Sequence, residues 1–177
     1  MRSQDLKTPS LPDSHVLASC TLSSFEDEDA AEISRVLSSM DPWRRLGYRP
    51  DQLRSYLVRE DPALKRYAVR VSGDSAGVLC VRHPWLLGPY NELLAVYPRF
   101  QGRSLGREVL GWMEEQYRAT ARNIWTTVSS FNTGARRFYA GMGFTEVAPL
   151  SDLIERGYDE ILLRKKLAPM TPNRAAR

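Results

Sequence analysis

Apolar and polar positions along the chain recur with two different periods, and the switches between them mark out its elements. HVLASCTL, at residues 15–22, alternates as a first strand would. SFEDEDAAEISRVLSSM then opens with Ser and a run of acids, which suit the N-terminal turn and positive dipole end of a helix. DPWRRLGYRP interrupts that helix, and PDQLRSYLVRED starts a shorter one with Pro50 in its first turn. Past Pro62 the period drops to two, so RYAVRV, a turn at SGDS and AGVLCVRH predict a β-hairpin. HPWLLGPYN carries two prolines and reads as a loop, and ELLAVY as a short strand that Pro98 ends.

QGRSLG follows at residues 101–106, and after it the helical period returns. Leu105, Val109, Trp112, Met113 and Gln116 fall on one side of this run, and Arg107, Glu114 and Arg118 on the other. NIWTTVSS predicts a strand, FNTGARRFYAGMG a helix closed by Gly141 and Gly143, and FTEVAPL and YDEILLRKKL two final strands. The order is strand, two helices, three strands, helix, strand, helix, two strands, a mixed α/β plan without an internal repeat. Residues 1–14 and 168–177 are polar and proline-bearing, so a single domain over residues 15–167 is expected between two flexible tails.

The chain's 177 residues suffice for one core. Apolar residues at 42% and charged residues at 26% exclude general disorder. A net charge of +4 is spread as 25 basic among 21 acidic residues, so no single-sign surface follows and no nucleic acid is expected. RKK near the end and RAAR in the tail are the support for a small basic nucleic-acid binder. Cys20, Cys80, His15 and His83 are not at metal-ligand spacing, so no metal is expected and the cysteines read as buried hydrophobes. No stretch approaches the roughly 18 apolar residues of a membrane span. The expected compartment is a reducing cytoplasm.

A strand that ends in a small, basic turn and re-enters a helix is a seat for an anion. Consecutive N–H groups there point the same way, Gly102 and Gly106 let the main chain come close, and Arg103, with Arg99 or Arg107, adds charge. An ordinary turn before an ordinary helix has the same composition. The turn is neither a Walker loop nor GxGxxG.

AVYPRFQGRSLG resembles the signature of the GNAT superfamily of acyl-CoA-dependent N-acetyltransferases, a strand followed by Q/R-x-x-G-x-G/A at a helix start. Gln101 and Gly106 match its ends, and Ser104 stands where the family has its central glycine; a serine hydroxyl there is expected to cap the helix or reach a phosphate. VSSFNTGARRFYAGMGFTEV resembles the family's second block, and YDEILLRKKL its closing strand. The resemblance implies a mixed, mostly antiparallel central sheet of about six to seven strands flanked by four helices. It also implies acetyl-CoA, or another short acyl-CoA, as co-substrate of a transfer to a primary amine by direct attack in a ternary complex. The acceptor would be a small-molecule amine or a protein amino group.

By that resemblance Leu94, Ala95 and Val96 offer main-chain groups to the thioester arm, and Gln101, Gly102, Arg103, Ser104, Leu105, Gly106 and Arg107 hold the pyrophosphate. Asn132 contacts the cofactor and Tyr139 protonates the departing thiolate. Asn132 and Tyr139 lie seven residues apart, nearly two helical turns, so they share a side. A tyrosine that merely packs its ring would look the same in sequence. Glu92 shares strand parity with Leu94 and Val96 and is the candidate base, with Tyr90 on the same parity; a solvated edge carboxylate is the alternative. Trp43, Tyr48 and Trp85 lie in loops where an acceptor wall forms, although loop aromatics also plug cores and homodimer contacts. A non-catalytic acyl-CoA-binding module is the reading from another class.

Overall fold

The computed structural model describes residues 11–24 and 26–167, so most of both expected tails lies outside the described residues. The chain forms β1 (Ser14–Val16), β2 (Thr21–Ser23), α1 (Asp27–Ser39), α2 (Pro50–Val58), β3 (Leu64–Val71), β4 (Asp74–Trp85), β5 (Gly88–Val96), α3 (Leu105–Tyr117), β6 (Asn123–Ser129), α4 (Thr133–Gly141), β7 (Thr145–Leu150) and β8 (Glu160–Lys166). A 3-10 turn, Pro98–Phe100, separates β5 from the QGRSLG segment. The eight strands make one sheet in the order β1-β2-β3-β4-β5-β6-β8-β7, antiparallel throughout except for β5 beside β6.

The sheet exceeds the expected strand count because HVLASCTL is two strands. Leu17 N–H closes onto Cys20 O at 2.8 Å, and β1 and β2 pair antiparallel on either side of that turn. The second difference is HPWLLGPYN, which is a hairpin rather than a loop. β4 runs on to Trp85 and β5 begins at Gly88, leaving Leu86 and Leu87 as a two-residue turn with φ of 35° and 63°. Turns of that kind favour Asn-Gly, which is why two leucines give no turn signal. Pro84 is tolerated because the register of β3 against β4 starts at Leu64–Arg82, so Pro84 has no β3 residue opposite it. Gly88 is obligatory: a Cβ there would stand 1.9 Å from Asn123 O.

Alternate residues of β3 reach opposite sides of the sheet. Arg66 Nη2 donates to Tyr56 O of α2 at 3.1 Å, while the Tyr67 ring meets Trp112 of α3 edge-on at 5.3 Å. The sheet is therefore sandwiched, and Leu22, Ile33, Leu37, Val78, Leu79 and Met113 are fully buried within it. Apolar burial on this scale is the dominant favourable term of folding. Cys20 and Cys80 are buried free thiols. Burial pushes them up to about 11 and about 12 respectively, and neither lines a cavity described below.

Candidate active site

β5 and β6 register at two residue pairs only, Tyr90–Trp125 and Asn91–Thr126. Beyond them the strands part, because β5 leads into α3 and β6 into α4. A cleft of about 640 Å³ opens there, walled by Leu94, Ala95 and Val96 on β5 and by Asn132, Phe138 and Tyr139 on the opposite side. Tyr97 N–H bonds to Ala76 O of β4 at 2.8 Å. By the alternation of an antiparallel ladder, Val96 and Leu94 turn their N–H and C=O groups to the other edge, into the cleft.

The mouth of α3 closes one end of this cleft. Among the described residues, no N–H of residues 102–107 has an acceptor within the protein. Gln101 N–H does have one, Pro98 O at 3.3 Å, and Gln101 Nε2 donates to Val96 O at 2.9 Å. Gln101 thus braces the loop against β5. Gly102 and Ser104 both take left-handed φ, 75° and 64°. Their alternation with the residues between folds the main chain into a concave row of donors, as an anion requires.

Of the two uses expected of the Ser104 hydroxyl, the helix cap is not made: Ser104 is the N-cap residue of α3 but forms no side-chain capping bond. Its backbone has instead kept the conformation that glycine adopts freely, so the serine contributes its N–H and carries conformational strain. A Cβ on Gly106 would meet Phe138 Cζ at 3.4 Å, an ordinary contact, so the packing of α3 against α4 does not itself require glycine there. Arg107 Nη1 donates to Met142 Sδ at 3.2 Å on the rim, the Arg103 guanidinium lies 5.5 Å over the Phe100 ring, and Arg99 is held by Ser75 O.

At the point where β5 and β6 separate, Tyr139 is buried and Asn91 Nδ2 donates to its Oη at 2.8 Å. Burial pushes the phenol up to about 12, against hydrogen bonds with Thr126 and Asn91 that lower it. Asn132 is not inside the helix, as its spacing from Tyr139 suggests, but at the N-cap, where Oδ1 accepts Ala135 N–H at 3.1 Å. Both residues still face the cleft. Asn91 gives no signal in sequence, because HPWLLGPYN, which it ends, reads as a loop.

A second cavity, of about 360 Å³, continues from the cleft on the far side of Leu94, Asn132 and Tyr139, which line both. Trp43 also borders both, and Tyr48, Tyr90 and Glu92 line the second. Trp85 does not: it stacks behind Tyr90 at 4.7 Å and meets Trp125 edge-on. Tyr90 Oη and Thr127 Oγ1 lie 2.8 Å apart. Both oxygens of Glu92 are engaged by Arg82, whose Nη2 also reaches Asp61 Oδ2 at 3.0 Å. The carboxylate thus faces the cavity wall already neutralised. Glu160, which the sequence does not single out, lines the same cavity.

Residues 21–144 match the Acetyltransferase (GNAT) family. The chain belongs to that family. Its fold is shared with an acetyltransferase from Thermus thermophilus, at 19% identity over 86% of this chain and 100% of that one, TM-score 0.68. It is also shared with the ribosomal-protein-S18-alanine N-acetyltransferase from Escherichia coli, at 19% identity over 87% and 97%, TM-score 0.66. Nourseothricin acetyltransferase is 25% identical over 62% of this chain and 68% of its own, TM-score 0.56. No curated protein sequence matches the chain.

Proposed function

We propose that the protein transfers an acetyl group from acetyl-CoA to a primary amine, by direct attack within a ternary complex. The observation that carries this reading is the row of unpartnered N–H groups at residues 102–107 opening onto a strand edge, with Tyr139 at the far end. Such a row suits a diphosphate, which accepts several hydrogen bonds at once and sits at the positive end of a helix. Exposed helix-end electrostatics give about 0.3–1 kcal/mol alone, so the affinity rests on several N–H bonds together. Arg103 and Arg107 would add charge from the rim, and Asn132 would line the arm of the cofactor.

When bound, acetyl-CoA would supply the thioester whose C–S bond breaks as the amine nitrogen forms the C–N bond. The main-chain groups of Leu94 and Val96 would orient that arm as an added strand does. Tyr139 would donate a hydrogen bond toward the sulfur as charge builds. With the phenol near 12 and a free thiol near 8.5, complete transfer to a thiolate would cost about 5 kcal/mol. Tyr139 therefore stabilises the developing charge, and solvent completes the protonation. Arg82 holds Glu92 on both oxygens, which supports a role for that carboxylate in fixing the cavity wall.

The test is a melting curve with and without acetyl-CoA, joined to thiol release with a panel of amines. At a hundred times its dissociation constant the cofactor would add about 2.7 kcal/mol, raising Tm by ~5–10 °C. An unchanged Tm would defeat the reading. A raised Tm with no thiol from any amine would leave a binding module instead.

A further inference from the structure

Two carboxylates line the second cavity, and their surroundings are opposite. Glu92 is matched by Arg82. Glu160, at the first position of β8, is 3% exposed and its Oε1 has no hydrogen-bond partner. Among the described residues no Lys, Arg or His forms an ion pair with it. The groups that face it are uncharged: the Tyr48 phenol from the loop after α1, the Tyr90 phenol from β5 and the Ser129 hydroxyl opposite it on β6. The Arg45 guanidinium lies 4.2 Å over Phe131 and 5.2 Å over Tyr158.

A buried carboxylate without a partner is costly, because desolvation is not offset by any opposite charge. Burial accordingly raises its titration above the ordinary carboxylate range. A cation entering this cavity would supply the opposite charge that no side chain provides. Aromatic rings of Trp43, Tyr48 and Tyr90 stand around the same space, and rings of this type attract cations through their faces.

We infer that Glu160 holds a positively charged amino group of the acceptor, so that the acceptor class is a dicationic amine with one amine attacked and a second anchored. This rests on the acetyltransferase reading for the attacked amine, and on Glu160 alone for the anchored one. Glu160 is placed at the β6–β8 edge of the cavity, whereas Tyr139 stands where β5 and β6 part, so anchor and reacting centre are at different stations of one space. An acceptor longer than a single ammonium is what joins them.

The experiment compares α,ω-diamines of three to six carbons with the matching monoamines, on the wild-type protein and on Glu160→Gln. Thiol release from acetyl-CoA gives kcat and KM, and calorimetric titration of the diamines in the presence of CoA gives affinity without turnover. The wild type should prefer a diamine to its monoamine by at least about tenfold in kcat/KM, and Glu160→Gln should abolish that preference through the diamine KM. Glu160→Asp, which keeps the charge on a shorter stem, should retain part of the preference and shift it toward longer diamines. Equal use of diamines and monoamines by the wild type, or a preference that survives Glu160→Gln, would overturn the inference while leaving the transferase reading intact. Diamine binding that depends on Glu160, without thiol release from any amine, would uphold the anchor and overturn the transferase reading.

Discussion

The two halves of the central space are built in different ways. On the proposed reading the cleft takes the acyl donor and the second cavity the acceptor; the donor cleft is made largely of main chain, a strand edge at Leu94 and Val96 and a row of N–H groups at residues 102–107. The acceptor cavity is made of side chains from the loop after α1 (Trp43, Tyr48), from β5 (Tyr90, Glu92), from β6 (Thr127, Ser129) and from β8 (Glu160). Main-chain donors survive most substitutions, so the first half tolerates even serine at a left-handed position. The second half changes its chemistry with every exchange, so on the proposed reading it is where an acceptor would be chosen.

That contrast is most exposed where the halves meet. Tyr139→Phe removes the hydrogen-bond donor and little volume, so kcat should fall by about 10–100-fold with the KM for acetyl-CoA changed less than about threefold, measured by thiol release. A matching loss in KM would move Tyr139 from the chemistry to cofactor binding. On the acceptor side, Glu160→Gln should raise Tm as well as relax acceptor choice. Its folded-state titration lies above the unfolded value of 4.5, so the stability it contributes is present below that value and is lost as pH rises through the raised one. The variant's gain in Tm should therefore widen as pH rises from below 4.5 through the raised value, in parallel melting curves. A constant offset would mean that Glu160 finds a partner in solution.

Glu92→Gln separates the two acceptor carboxylates from the other side. It should lower Tm by weakening the hold on Arg82, and leave the pH dependence of kcat unchanged, since both of its oxygens are already engaged by that guanidinium. A rate loss that shrinks at high pH would restore Glu92 as the base. The smallest effects belong to the donor half. Gln101→Ala removes the brace to Val96 O and should weaken acetyl-CoA binding about two- to tenfold by titration. Ser104→Gly relieves the left-handed serine and should stabilise the protein by about 0.5–1 kcal/mol in urea unfolding, with cofactor affinity unchanged.

Much of the fold is legible in the chain. The helices at SFEDEDAAEISRVLSSM and PDQLRSYLVRED, the hairpin at SGDS and the β6-α4-β7 series follow local period and turn chemistry. The failures share a cause. Leu86 and Leu87 form a turn with no turn residue, because the ladder on either side and the close approach of Gly88 to Asn123 impose it. Spacing puts Asn132 on a helix face, but its place at the N-cap depends on where the chain leaves β6. Trp85 reads as a cavity wall and is a backing layer, a distinction set by Tyr90 stacking in front of it.

The sequence by itself determined most of the elements, their order and the main-chain frame of the cleft, because a strand edge followed by a helix start is contiguous in the chain and its N–H groups are present whatever the side chains are. Only the tertiary structure decided the acceptor half. Glu92 and Glu160 are the same side chain in sequence. One is matched by an arginine ten residues away, and the other is shut among tyrosines and a serine from three other segments. Charge and burial are properties of neighbours, and distant parts of the chain become neighbours only when the sheet closes.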